Sequence, residues 1–205
     1  MPVRAATGPK RTDMARPAET APVVTVRSRQ DLRDWLAQHH AEPGPVWLVA
    51  YRPHHADYLA PEASTEELLC WGWINSLPRA LDADRSMILI APRRPDSAWS
   101  AVNKRLVEQA RASGAMTEAG EASIAASQAN GAWSFLDDVE RLERPADLDL
   151  ALGPLVAGWD AFPRSVKRAA LEWVKTARTA GTRAKRIEDI RASLAQGLRP
   201  TPFRR

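Results

Sequence analysis

The pattern of apolar residues at the start of the chain predicts two short strands with a helix between them. Residues 23–26 and Val46–Tyr51 are apolar runs rich in β-branched and aromatic side chains, and the second is apolar throughout, which is typical of a buried strand. Between them Leu32 and Leu36 recur at helical spacing. Ser28 precedes this helix and is predicted to cap it.

A second helix is predicted to start at Ser64 or Thr65 and to continue to Ile74. Carboxylates follow its start, where the helix dipole favours negative charge. Trp71 and Trp73 lie two positions apart at its end and cannot share one face. We therefore expect one of these indoles in the core and the other beside a cleft.

A β-hairpin is predicted to follow. Residues 76–81 and 86–91 are β-leaning segments, and Asp82, Ala83 and Asp84 between them are typical of a tight turn. Since the two segments are so close in sequence, they are expected to pair as antiparallel neighbours.

Helices dominate the rest of the pattern. One is predicted to begin at Ser97 or Ser100, with Trp99 and Val102 on its buried stripe. Residues 166–177 have the most regular amphipathic spacing in the chain.

The last helix is predicted to begin after Gly181, which would end the preceding helix, with Thr182 as its N-cap. It is predicted to end near Gln196. The whole pattern indicates an α+β fold, in which a small, mainly antiparallel sheet packed with helices is followed by a helical C-terminal half. The predicted organisation is a disordered tail (1–22), an α+β part (23–132), a helical part (133–197) and a basic tail (198–205).

Cysteine content and hydropathy indicate the cellular compartment of the protein. Cys70 is the single cysteine, so no internal disulfide can form, which fits a reducing compartment. No segment has the pattern of a secretory signal or the length of a membrane span. We expect a cytoplasmic protein that does not contact a membrane.

Charge is distributed unevenly. Residues 164–205 contain twelve Lys and Arg against three acidic residues, although the chain as a whole carries only +4. A basic end on an acidic body favours either an anionic partner or internal ion pairs. Nucleic acid is the less favoured partner, because the basic residues are scattered around their helices and form no stripe.

Arg183 has two interpretations. By helical geometry it lies at the edge of the apolar stripe formed by Ile187 and Ile190, where a charge needs a partner. That partner is either a carboxylate of the same chain or an anionic ligand.

The segment PRRPDSAWSAVNK is a second candidate. Arg93 and Arg94 follow a strand, and polar side chains cluster at the next helix start, an arrangement that suits an anion or a polar ligand. Capping of the helix explains Ser97 and Ser100 equally well, but it does not explain the arginines.

Metal binding and known catalytic motifs are not indicated. The histidines occur as two adjacent pairs, without helical i, i+4 spacing or a cysteine partner, so no metal site and no cofactor are predicted. No nucleotide-binding or hydrolase motif occurs, and no His or Cys lies among the candidate residues. A non-enzymatic protein is therefore favoured over an enzyme.

The combined motifs resemble the bacteriocin-protection family, also called YdeI/OmpD-associated, over roughly residues 23–197. The marks are CWGWINS, PRRPDSAWSAVNK, SGAMTEAG and TRAKRI. Asn75 stands where the family usually has Asp, and Gly181 stands where Glu is common. If the family's Asp at position 75 is a general base, this chain has lost that base. If it is a cap or turn residue, Asn serves equally well.

The resemblance implies a bacterial stress-tolerance protein that protects against antimicrobial peptides, with a link to a porin that the absence of an export signal does not support for this chain. We expect a non-enzymatic binder of a small anionic or polar molecule, and the alternatives are a structural or interaction protein, an uncharacterised enzyme and a nucleic-acid binder. The predicted ligand-binding residues are Trp73, Asn75, Arg93, Arg94, Ser97, Trp99, Ser100, Asn103, Thr182, Arg183, Lys185 and Arg186.

Overall fold

The computed structural model of the chain describes residues 19–204. About half of the protein (51%) is helical, and a four-stranded sheet precedes the mainly helical C-terminal half, so the predicted α+β class is confirmed. Most of the tail predicted for residues 1–22 lies outside the described residues.

The sheet is built by four strands in the order β1-β2-β4-β3. Their bounds are Val23–Thr25 (β1), Val46–Tyr51 (β2), Trp73–Ala80 (β3) and Arg85–Pro92 (β4). β1 runs parallel to β2, and the other neighbours are antiparallel. The predicted hairpin therefore forms the β3–β4 edge of the sheet, closed by the turn at residues 81–84, where Asp82 Oδ1 accepts the backbone N–H of Asp84 (3.0 Å).

Two helices follow β1 and β2. Helix α1 (Arg29–His39) begins as predicted, with Ser28 Oγ accepting the N–H of Asp31. Helix α2 (Pro61–Cys70) lies between β2 and β3 in the chain.

The remaining helices are connected by short turns. They are α3 (Ala101–Ala112), α4 (Glu118–Ala129), α5 (Asp137–Glu140), α6 (Ala146–Leu152), α7 (Val156–Asp160), α8 (Arg164–Lys175) and α9 (Ala180–Ala195), with 3-10 turns at Gly153–Leu155 and Thr201–Phe203. Thr201 donates its hydroxyl to Asp189 (2.5 Å), so the 3-10 turn at Thr201–Phe203 is joined to α9.

The bounds of α2 differ from the sequence prediction at both ends. The helix begins at Pro61, whose fixed φ suits a first helical position. It ends at Cys70, because Gly72 adopts a φ of +71° and turns the chain into β3. Trp73 is consequently a strand residue and 1% exposed, whereas Trp71 is half-buried.

Two other predictions were wrong in detail. Thr179, not Thr182, caps α9: its Oγ1 accepts the N–H of Thr182 (3.1 Å), so Gly181 and Thr182 lie in the first helical turn. In α3, which starts at Ala101, Val102 is 54% exposed and Trp99 precedes the helix. The side-chain hydroxyls available at both starts allowed alternative caps that the pattern alone could not distinguish.

The chain forms two compact units. The first contains the described residues up to Pro95 together with Arg105–Ala126, and the second contains Asp96–Lys104 and the residues from Ser127 onward. In the first, α1, α2 and the sheet enclose a core that includes Leu32, Leu36 and Ile90. In the second, α5 to α9 enclose a separate core.

Among the helices that the structure describes, none combines the length and apolar composition that crossing a bilayer requires.

Candidate ligand-binding site

One face of the sheet carries three rows of side chains across β2, β4 and β3. Paired residues of neighbouring strands lie on the same face, and alternate rows share that face. From the core outward the rows are Val46, Ile90 and Asn75; then Leu48, Ile88 and Pro78; then Ala50, Ser86 and Ala80. The outermost row is made of small side chains only, so the space above it is left open.

This space is a cavity of about 530 Å³. Its floor is the sheet, and its wall is the chain from Arg52 to Ser64, which includes the first turn of α2. A volume of this size lies within the range of about 300–1,000 Å³ that small-molecule sites occupy. The lining residues are Leu48, Ala50, Tyr51, Arg52, Pro53, Tyr58, Leu59, Pro61, Ser64, Asn75, Pro78, Arg79, Ala80, Ser86, Met87 and Ile88.

The two arginines of the lining are oriented differently. Arg52 continues the alternation of Leu48 and Ala50 that places side chains on the cavity face, and its Nε donates to the Arg85 carbonyl (3.4 Å). Arg79 pairs with Met87 in the intervening row, and its guanidinium lies over the Trp47 ring at 4.6 Å from the centroid. By strand alternation that stack lies on the opposite face, so Arg79 lines the cavity through its backbone.

The charged residues that line the cavity are all arginines among those that the structure describes. Among the described residues that line it, none is acidic, and neither arginine forms an ion pair with a carboxylate of residues 19–204. The nearby Asp84, whose carbonyl accepts the Arg52 N–H at 2.8 Å, directs its carboxylate to His54 Nε2 at 3.0 Å. The Arg52 guanidinium is thus a cation at an otherwise apolar cavity.

Asn75 occupies the inner end of the cavity, where a hydrogen-bond relay fixes its amide. Its Nδ2 donates to Thr65 Oγ1 (2.7 Å), and the Thr65 hydroxyl donates its single proton to the Pro61 carbonyl (2.7 Å). In this arrangement position 75 supplies the donor. The relay leaves the Asn75 oxygen on the side away from Thr65 as an acceptor.

A buried carboxylate connects α1 to α2 behind the cavity wall. Glu67 is 1% exposed and accepts from Arg29 Nε (2.9 Å), Arg33 Nη1 (2.8 Å) and Trp71 Nε1 (3.2 Å). These bonds satisfy the charge and hold the two helices together. Next to it, burial raises the pKa of the Cys70 thiol to about 11, which keeps the thiol protonated and unreactive near neutral pH.

The remaining predicted residues of the first unit lie away from this lining. Trp73 is in the core and donates Nε1 to the His40 carbonyl (2.9 Å). Arg93 is 7% exposed, and burial lowers the pKa of its guanidinium to about 10. The Arg93 backbone N–H donates to the Gly72 carbonyl (2.9 Å). The next residue, Arg94, is exposed.

Four predicted residues surround the start of α3 in the second unit. Ser100 caps this helix, since its Oγ accepts the N–H of Asn103 (3.2 Å). Trp99 is 1% exposed and packs against Trp133 with ring centroids 4.8 Å apart. Ser97 and Asn103 are half-buried.

The last four predicted residues lie on α9. Arg183 makes two bonds to the Asp147 carboxylate, at 2.6 and 2.8 Å, and these bonds hold the pKa of Asp147 below its usual value. Arg186 donates to the Trp173 carbonyl. Thr182 accepts from the Thr179 hydroxyl (2.9 Å), and Lys185 is exposed. A smaller cavity of about 140 Å³ adjoins Arg183.

The predicted residues thus belong to two units, and most of the residues that line the larger cavity were not predicted. Asn75 is the one predicted residue that lines that cavity, and sequence reasoning missed Arg52, Tyr58, Ala50 and Ser86. Ala50 and Ser86 are small residues within otherwise apolar strands, and Arg52 directly follows β2, but the register that aligns them is a long-range property. That the motif blocks bind one shared ligand stays a prediction.

Two family models match the chain in separate segments. Residues 24–123, which contain the sheet and its cavity, match a domain of unknown function, DUF8412. Residues 141–197, which contain α6, α8 and the Arg183 ion pair, match a second model. That model is the bacteriocin-protection, YdeI or OmpD-associated family. The predicted family is thereby confirmed for residues 141–197, which contain TRAKRI, whereas the other three motifs lie in the segment that matches the first model. Neither a curated protein nor a solved structure matches the chain.

Proposed function

We propose that this protein is a non-enzymatic binding protein whose small ligand occupies the cavity above the outer rows of the sheet. The observation that carries the proposal is the cavity itself, about 530 Å³ between sheet and chain wall, with an apolar floor and a few polar groups at its ends. Such a combination is typical of ligand sites, in which apolar surface supplies affinity and sparse polar groups fix orientation.

The chemistry of the lining supports binding over catalysis. Among the described lining residues there is no His, Cys, Asp or Glu that could transfer a proton near neutral pH. The Ser64 hydroxyl donates to the Pro61 carbonyl (2.9 Å) and has no adjacent base, so it lacks the activation that a nucleophile requires.

The physiological role that we assign is bacterial tolerance of antimicrobial peptides or a related stress. It is supported by the family match of residues 141–197.

A structural role for the C-terminal motif is the second candidate. Arg183 forms an ion pair with Asp147. Arg186 donates to the Trp173 carbonyl, and its guanidinium lies over the Trp173 ring, 5.3 Å from the centroid. These contacts support a motif that stabilises the second unit, leaving ligand binding to the first.

The test is a binding screen with a site-specific readout. The chain has two tyrosines: Tyr58 lies in the cavity wall, and Tyr51 borders the cavity from the row of β2 whose side chains lie on the opposite face. Fluorotyrosine labelling therefore gives one fluorine NMR signal from the wall and one from its border. We expect compounds with an apolar body to shift these signals and to raise the melting temperature, because binding to the native state stabilises it, by about 2.7 kcal/mol at 100 times Kd.

Matched phenylalanine substitutions provide the control. Ala50→Phe fills the cavity from its floor, and Ala37→Phe adds the same side chain to an exposed position of α1. Binding should be lost in the first variant and kept in the second. Ligands that bind a folded Ala50→Phe protein as tightly as wild type, or a screen with no binder at all, would exclude this function.

A further inference from the structure

We infer that the ligand of the sheet cavity is an amphipathic monoanion, whose charged group binds the Arg52 guanidinium and whose apolar body lies over Leu48, Ile88 and Pro78. This inference rests on the proposed function and specifies its ligand class.

The cavity is polarised along the strands. Arg52 lies at the hairpin end, beside the small residues Ala50 and Ser86, while the row of Leu48, Ile88 and Pro78 lies one step further toward the core. A ligand that fills the cavity must therefore place one end against a cation and its body against aliphatic carbon. Because the described lining contains no carboxylate, a cationic or zwitterionic head would meet uncompensated repulsion from Arg52.

The charge count indicates a single negative group. Arg79 is the other cation of the lining, and its side chain stacks on Trp47 on the opposite face of the sheet. The Arg52 Nε donates weakly to the Arg85 carbonyl, which orients the guanidinium and leaves its terminal N–H groups for a planar, bidentate anion. Carboxylate is the group that fits this fork with one charge.

The size of the cavity limits the apolar body. At about 530 Å³ the cavity lies within the range of small-molecule sites, so a medium-chain or single-ring carboxylic acid fits in it and a long peptide does not. At the inner end, the Asn75 oxygen can accept a hydrogen bond from one further polar group of such a ligand.

Octanoate, octanamide and octylammonium are the probes of the test, since they share an apolar body and differ in charge. Binding is measured at neutral pH through the fluorotyrosine signals. We expect octanoate to bind roughly tenfold to hundredfold more tightly than the other two, as a hydrogen bond to a charged group contributes this factor. Equal affinity for octanoate and octanamide, or tighter binding of octylammonium, would overturn the inference.

Two arginine variants locate the effect. Arg52→Gln should remove the preference for octanoate and Arg52→Lys should retain part of it, whereas Arg79→Gln, with the same change in net charge, should leave the preference intact. A preference that survives in Arg52→Gln, or that disappears equally in Arg79→Gln, contradicts the assignment.

The outcomes separate the inference from the function on which it rests. If all three probes bind equally and Ala50→Phe abolishes their binding, the cavity is a ligand site of another class, and only the inference fails. If none of the three shifts either tyrosine signal, the inference is overturned, and the wider screen decides the proposed function independently.

Discussion

At the scale of single residues, hydrogen-bond direction decides what position 75 can hold. Thr65 has one hydroxyl proton, and it is donated to the Pro61 carbonyl in the first turn of α2. The partner of the Thr65 oxygen must then be a donor, which the Asn75 amide is and an ionised aspartate is not. The amide at position 75 is thus coupled to the helix start that forms part of the cavity wall.

Asn75→Asp should destabilise the protein by about 1 kcal/mol at neutral pH, because an oxygen would face the Thr65 oxygen and one of the two bonds of the relay would be lost. The measurement is urea unfolding of the single variants Asn75→Asp and Thr65→Val and of the double variant. In the Thr65→Val background the aspartate should cost less. Strictly additive effects would show that the relay contributes nothing.

At the scale of elements, close approach of helices explains one glycine of the SGAMTEAG motif. Gly120 lies in α4 against the C-terminus of α2. A Cβ at this position would lie 2.6 Å from Met116 Sδ and 2.8 Å from the Cys70 carbonyl carbon, and closer still to the Cys70 oxygen. The same end of α2 accepts the Thr117 hydroxyl at Cys70 O (2.5 Å), so the backbone there is held in place.

Gly120→Ala should therefore destabilise the protein by about 2 kcal/mol or more, since overpacking against fixed backbone forces the helices apart. Gly181→Ala is the matched substitution: it lies in the first turn of α9 with open space around its Cβ, and should stabilise by about 0.5 kcal/mol through the unfolded state. Thermal melts of both variants check the opposite signs, and a neutral Gly120→Ala would contradict the close packing.

At the scale of the whole molecule, several basic residues of the C-terminal segment form ion pairs with carboxylates of the second unit. Arg168 binds Glu140 (2.7 Å), Lys175 binds Asp138 (2.5 Å) and Arg183 binds Asp147 (2.6 Å). The hydrogen bond from Arg168 lowers the pKa of Glu140, and that from Arg183 lowers the pKa of Asp147. Part of the basic C-terminal segment thus neutralises carboxylates of its own unit.

These lowered pKa values predict how stability depends on pH. A carboxylate with a folded-state pKa below its unfolded value stabilises the protein above the unfolded value, and that stabilisation is lost as pH falls through the folded pKa. With an unfolded value of 4.5 for Glu140, the free energy of unfolding should be flat from neutral pH to about 5.5 and decline below about 4.5.

Glu140→Gln isolates one contribution to this decline. The variant should be less stable by about 1 kcal/mol at neutral pH and should lose less stability on acidification. Glu42→Gln, at an exposed loop position, is the control and should follow wild type. Urea unfolding between pH 3 and 7 gives the profiles, and parallel profiles for all three proteins would mean that the Arg168 pair does not contribute.

The local pattern of the sequence determined most of the elements. Apolar alternation, the cap at Ser28 and the turn at Asp82 are short-range properties, and they predicted β1, β2, α1, the β3–β4 hairpin and the α+β class correctly. Boundaries failed where several local signals competed, as at Pro61 and Thr179, because neighbouring residues offered similar caps.

Only the tertiary structure decided the candidate site. The cavity exists because Ala50, Ser86 and Ala80 fall into one row. That alignment depends on the register that pairs Ala50 with Ser86, 36 positions later, and on the shift between Asn75 and Pro78. Likewise, strand alternation shows on which face of the sheet Arg52 and Arg79 lie only once the pairing of the strands is known. The sequence by itself determined which side chains are available, and long-range pairing decided which of them share a surface, because contacts between distant segments leave no periodic signal in the chain.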